Sequence, residues 1–442
     1  MLDDIIEQLR LRSVKRSLVD VKKQLSRNTN VSLYHSMLIY KLDLLINASR
    51  FVKCTYPISH TRGLYFQIKL GILLNTRQIE DEVKLYISKL NNQATLGYFL
   101  PVSMVNSILL QYNLLLLDSE FTFAHGPLMV FIEFFQKYIS SCRREIGLWI
   151  YDTSMSDLEY TYRIKYETSL NLSAVQIHNI GLRQLAISTS TLSSIQKQNN
   201  PTNRPKYKFS IPGIRVEHVS EPFFPRAVYV PEDNTRKRGA ILFINKYHGP
   251  FNWSLLVHEV YPGHHFETRT RTAHGGIFDD WSGYIEGWAV YNEWLYLYKY
   301  NKDNLTMKQH YMYMEIVRDI RLIVDTGIHS SLCGKWSMAD AGEFYRSGLF
   351  RGRKLVPQFS GLPIGYSEIV SELLGIISRP AHSLCYKLGK MCFVFLHNEA
   401  VSLCYKEKQV WNWLLSNRVP LYMLPELCPF TTDMYSAFSK DL

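Results

Sequence analysis

Apolar residues recur at spacings of three and four through most of the first 185 positions, the period of helices with one buried face. LDDIIEQLRLRSVKRSLVDVKKQL at 2–25 and RQIEDEVKLYISKL at 77–90 both carry it. In NLSAVQIHNIGLRQL, Ser173 precedes Gln176 at the spacing of a capping box, which starts a helix. SILLQYNLLLL and PLMVFIEFF read as buried helices and are too short or interrupted to span a bilayer. The run at 186–208, rich in Ser, Thr, Asn and Pro, predicts a loop or subdomain boundary. Two strand-like runs follow, RAVYV and GAILFIN, separated by the polar turn PEDNTRKR. Helical patterns then resume, with breaks at GLPIGY and SNRVPLYMLPELCP. The expected fold is mainly α with a small β-sheet. A helical N-terminal subdomain is expected over 1–205 and a second subdomain, bearing the chemistry, over 206–442.

Composition narrows the class. The chain has 442 residues, 46% hydrophobic and 20% charged, as expected of a globular protein with a large core. The N-terminus is charged from its third residue and shows no export signal. Seven scattered cysteines without a CxxC pair point to reduced thiols, and a cytoplasmic location is expected. The net charge of +11 is spread over VKRSLVDVKK, TRKR and FRGRK rather than gathered in one patch, so no nucleic-acid partner is expected.

The chemistry concentrates in VHEVYPGHHFE, residues 257–267. It begins as the zinc motif HExxH, in which two histidines one helical turn apart share a metal and the adjacent glutamate activates water. Here Pro262 stands where the second histidine belongs, and His264 and His265 come late. On a straight helix, positions seven apart are about 10 Å apart along the axis, too far for one zinc with bonds of roughly 2 Å. Pro262 cannot continue the helix ladder, and Gly263 has wide conformational freedom. Together they can turn the chain and return a late histidine to His258. His264 is the preferred second ligand, with His265 as the alternative. Downstream, the amphipathic segment GYIEGWAVYNEWLY supplies Glu286 as a third ligand, completing a His₂Glu set with a position for water. GAILFIN is expected to offer an edge for an extended peptide.

The order HEVYPGHH, EGWAVYNEWL, RDIRLIVDTGIH, RPAHSLCYKLG and VPLYMLPEL resembles the family called domain of unknown function 885. That resemblance covers roughly residues 150–430. It implies a gluzincin-like zinc metallopeptidase: a helical fold with a central cleft, Zn²⁺ on His258, His264 and Glu286, and Glu259 as general base. By the same resemblance, His329 and Tyr386 would stabilise an oxyanion, while Arg318, Arg321 and His382 would meet substrate. Glu293, a heptad after Glu286, and Asp325 are candidates to orient the ligands from behind. Arg321, Asp325 and His329 would share a helix face if the helix holds through Gly327, with Arg321 and Asp325 as a locking pair. His382 replaces the family's glutamine, which bears on pocket specificity. The interval between NIGLRQL and FFPRAVYV is shorter than is typical. The expected substrate is a short peptide. Ester or amide hydrolysis of a small molecule and a non-catalytic binding role are the alternatives.

Overall fold

The computed structural model describes residues 33–48, 56–71, 73, 75–144, 146–147, 153–198, 213–221, 224–233, 238–248, 253–269, 281–350, 366–402, 409 and 421. The helix expected at 2–25 and most of SNRVPLYMLPELCP lie outside them. Within them the protein is mainly helical. The helices are Leu33–Ala48 (α1), Leu64–Lys69 (α2), Thr76–Ala94 (α3), Val102–Leu117 (α4), His125–Tyr138 (α5), Thr153–Thr168 (α6) and Ala174–Gln196 (α7). After the sheet come Trp253–Glu259 (α8), His264–Arg269 (α9), Ser282–Leu295 (α10), Leu305–His329 (α11), Met338–Phe350 (α12), Tyr366–Ser378 (α13) and Leu384–Ser402 (α14).

Local sequence sets several of these elements. In α3, Ile79, Val83, Tyr86 and Leu90 form the buried stripe, and Asn75 caps the helix by accepting from Gln78 N. The capping box forms as expected: Gln176 N donates to Ser173 Oγ at 3.2 Å, and Ser173 N donates to Gln176 Oε1 at 2.8 Å. The loop expected from 186 is instead the last three turns of α7, which runs to Gln196. Leu185, Ser188, Leu192 and Ile195 carry a buried face through the polar composition. Ser193 and Ser194 spend their hydroxyls on carbonyls one turn back, so a run that looks loop-like is compatible with a helix.

Three strands form one sheet in the order β1-β3-β2: Ile214–Val219 (β1), Ala227–Val230 (β2) and Ala240–Asn245 (β3). β3 pairs parallel with β1 and antiparallel with β2. Every residue of β3 is buried. GAILFIN is therefore the central strand and has no free edge; the strand beside the motif helix is β2.

The apolar helices α4 and α5 bury only part of their surface. Leu110, Leu117, Met129 and Val130 are exposed. Among the described residues no single helix is long and apolar enough to cross a membrane.

The helices that frame the site pack in two pairs. α11 lies along α7, where Ser188 Oγ donates to Asp319 Oδ2 at 2.6 Å and His178 bonds Thr326 at 2.8 Å. α10 crosses α14 at Gly287 and Gly389. A Cβ at Gly287 would sit 2.6 Å from Gly389 Cα, so the crossing admits no side chain on either helix. Around it Tyr284, Trp288, Tyr291 and Phe393 form a buried aromatic cluster. The large core on the other side joins α3, α4 and α5 to α11, α12 and α13.

Candidate metal centre

α8 stops at Glu259 and α9 starts at His264, so the motif occupies two short helices joined by Val260–Gly263. Val260 N still donates to Leu256 O, and after the turn Phe266 N reaches back to Val260 O at 3.0 Å. Gly263 packs against the end of α8. A Cβ there would lie 1.8 Å from His258 O and 2.3 Å from Val257 O, so only glycine fits. Trp288 Nε1, from α10, donates to Pro262 O at 2.9 Å and ties the turn to the helix that carries Glu286.

This turn brings His264 beside His258, with ring centroids 4.8 Å apart. Glu286 Oε2 is 3.4 Å from His258 Nε2 and 3.5 Å from His264 Nε2. Ligands about 2.0–2.1 Å from a tetrahedral zinc are themselves about 3.4 Å apart. Glu286 Oε2 is also buried without a hydrogen-bond partner. The donor set, its spacing and this orphaned oxygen fit a zinc ion. His265 points elsewhere: its Nδ1 is hydrogen-bonded to Tyr229 of β2 at 3.1 Å.

Behind the trio stands a chain of buried charges. His258 Nδ1 donates to Glu293 Oε1 at 2.8 Å, which leaves Nε2 for a metal or a proton. Ser254 donates to the other oxygen of Glu293. Arg318 reaches Glu293 at 2.7 Å and Glu315 at 3.3 Å. Lys387 then bridges Glu315 and Asp319, at 2.7 Å each. Burial opposes the charge on Glu293, but Arg318 and His258 outweigh it and carry its pKa down to about 2. Burial likewise opposes the His258 imidazolium, and Glu286 and Glu293 outweigh it, raising His258 to about 10. Proton and metal thus compete for His258 Nε2.

His258 and Glu259 line a cavity of about 410 Å³ between α8, α11, α13 and the turn before α14. Glu259 is held from the sheet side, where Tyr229 N donates to its Oε2 at 3.2 Å. Tyr386 lines the cavity with its ring stacked on His258 at 6.1 Å, and Arg321 lies over that ring at 5.1 Å. His382 lines it as well and bonds Glu167 at 3.0 Å.

Other expected site residues have different neighbours. Arg318 touches the cavity, but its guanidinium is 4% exposed and engaged by Glu293 and Glu315, so it belongs to the framework rather than to substrate. Arg321 does not pair with Asp325. It makes a two-pronged bond to Glu372 at 2.9 and 2.8 Å, because α13 places a carboxylate across from it. α11 does hold through Gly327. Asp325 accepts from Tyr160 at 2.7 Å, Ser383 at 2.6 Å and Ala381 N at 2.9 Å. It fastens the turn before α14 rather than orienting a ligand. His329 is 1% exposed and donates from Nε2 to Ile376 O at 3.2 Å, behind the wall of α13. It is not among the cavity residues. Burial lowers its pKa to about 3, leaving a neutral core histidine with no access to an oxyanion.

Several residues here had no sequence signal. Tyr229, Ser254 and Trp288 act through backbone or buried contacts that motif spacing does not reveal. Arg379, His60 and His310 reach the cavity from segments distant in the chain. A second potential ligand trio, Glu167, His382 and Cys385, reads as a hydrogen-bonded cluster instead. His382 bonds the Glu167 carboxylate at 3.0 Å, and Cys385 Sγ donates to Glu167 O.

Residues 204–358 match the family described as "Bacterial protein of unknown function (DUF885)". That stretch contains the trio, Glu259, Glu293 and Arg318; Tyr386 and Arg379 lie beyond it. No curated protein matches the chain. Among solved structures, a candidate lipoprotein from Colwellia psychrerythraea is similar at 16% identity and a TM-score of 0.70, over 93% of this chain and 89% of that one. A candidate lipoprotein of unknown function from Shewanella oneidensis is similar at 12% identity and a TM-score of 0.58, over 95% of this chain and 93% of that one. At such identities the likeness is one of fold.

Proposed function

We propose that this protein is a zinc-dependent hydrolase of peptide bonds in short peptides. The observation that carries the reading is the convergence of His258, His264 and Glu286 on one point, with Glu259 beside it on a cavity wall. When bound, zinc would polarise a substrate carbonyl and bring the pKa of a coordinated water towards neutrality.

The protein's own groups do the rest. Glu259 takes a proton from the attacking water and returns it to the leaving amine. Tyr229 N holds one of its carboxylate oxygens, fixing the other towards the reacting water. Tyr386, on the cavity wall, is the candidate hydroxyl donor to the developing oxyanion. Glu293 and Arg318 hold the His258 ring in the orientation that presents Nε2. The cavity volume suits a few residues of peptide and lies within the range of small-ligand pockets.

The test is hydrolysis of a mixed library of three- to six-residue peptides by the full chain supplied with zinc, read by mass spectrometry. Cleavage is expected, abolished by a chelator, restored by zinc, and lost in Glu259→Gln, which should still bind the metal. Intact peptides alongside cleavage of a small-ester panel would replace the reading with a small-molecule hydrolase. Zinc held firmly with no turnover of either would replace it with a binding protein.

A further inference from the structure

The cavity beside the trio carries four arginines, and two are held tightly by carboxylates. Arg318 sits between Glu293 and Glu315. Arg321 is bound at both prongs by Glu372. Arg226 lies 3.6 Å from Glu368 and is 24% exposed, on the wall of an adjoining smaller cavity of about 130 Å³. Arg379 differs. Its side chain is 41% exposed, against 4% for Arg318, 19% for Arg321 and 24% for Arg226, and its contact with Glu167 is 3.6 Å, beyond a good hydrogen bond. Glu167 also bonds His382 at 3.0 Å. Arg379 keeps N–H donors for a second carboxylate in a forked pair while its charge still offsets the buried Glu167.

A second observation also points to a ligand. His60 lines the same cavity, is 0% exposed, and has no hydrogen-bond partner at either ring nitrogen. His310, from α11, leaves Nε2 unpartnered as well. Buried polar atoms are rarely left unpaired, and two such rings in one cavity suit a ligand that brings amides and carbonyls.

We propose that Arg379 anchors the free C-terminal carboxylate of the substrate, so that the protein acts on short peptides at or near their C-terminal end. This rests on the hydrolase reading of the metal centre, and it names the substrate class for that site. An amidated peptide presents no charge to Arg379 and leaves the guanidinium with only its loose contact to Glu167.

The experiment uses the zinc-loaded Glu259→Gln protein, which holds substrate without turning it over. Calorimetry would compare a tripeptide library as free acids with the same library as C-terminal amides. Free acids should bind at least thirtyfold more tightly. Arg379→Gln should bring acids down to the level of amides while zinc content stays at the parent value, and Arg379→Lys should retain part of the preference. Equal binding of acids and amides, no binding of either, or a preference that survives in Arg379→Gln would overturn the proposal. Hydrolysis by the unmodified protein is read separately. Acids held through Arg379 but never cleaved would sink the hydrolase reading and leave the carboxylate anchor standing.

Discussion

His258 Nδ1 and Glu293 Oε1 meet at 2.8 Å across two helices, and the same oxygen accepts from Arg318 at 2.7 Å. One carboxylate thus sets the tautomer of a candidate ligand and anchors it to a buried cation. Glu293→Gln keeps the shape of the side chain but removes its charge. Zinc affinity should fall about 10- to 100-fold, the usual effect of losing such a partner. Competition with a fluorescent chelator measures this. Stability should fall too, by roughly 3–5 kcal/mol, because Arg318 loses a buried counter-charge. Unchanged affinity would separate Glu293 from the metal.

The two late histidines have distinct surroundings, and this predicts distinct outcomes. His264→Ala should abolish stoichiometric zinc binding, read by elemental analysis of the purified protein. His265→Ala should retain the metal while losing the hydrogen bond and ring contact with Tyr229. The reverse result would reassign the second ligand.

Gly263→Ala should be among the most damaging single changes in the chain. Its Cβ would overlap His258 O and Val257 O, both backbone atoms that cannot rotate away. A loss of at least about 3 kcal/mol is expected, together with loss of zinc binding. Chemical denaturation and metal analysis of the same preparation check both.

Three buried histidines make the fold sensitive to acid. Burial lowers His60 and His310 to about 4 and His329 to about 3. In the unfolded chain each takes a proton near pH 6.5, and the folded protein does not. Their folded pKa values are depressed, so stability is fully present above about pH 6.5 and is lost as pH falls towards the folded values. Each contributes a slope of about 1.4 kcal/mol per pH unit in that window. Urea unfolding at several pH values between about 7 and 5 should show the decline, with a shallower slope in His329→Gln.

What could be read from the sequence follows from how local each signal is. The Ser173–Gln176 capping box, the helix bearing Glu286 and the turn at Pro262–Gly263 all depend on neighbours within a few positions. β1 was missed because IRVEHV is half exposed along its length and finds its place only by pairing with β3. The partners of Arg321 and Asp325 were misjudged for a related reason. Spacing by four puts them on one face, but Glu372 and Ser383 from other helices supply better-placed groups. His329 looked functional by position in its motif, and only tertiary packing shows it behind α13. Arg379 was unremarked because its importance depends on which other arginines are already engaged.

The contact of Gly287 with Gly389 has a mechanical consequence. Where the backbones meet, at Gly283, Gly287 and Gly389, the helices cannot slide past each other without separating, since no side chain lies between them there to re-pack. They can only rock about that point. Glu286 precedes one of these glycines by one residue and Tyr386 precedes the other by three, so both stand close to the fulcrum, where rocking displaces atoms least.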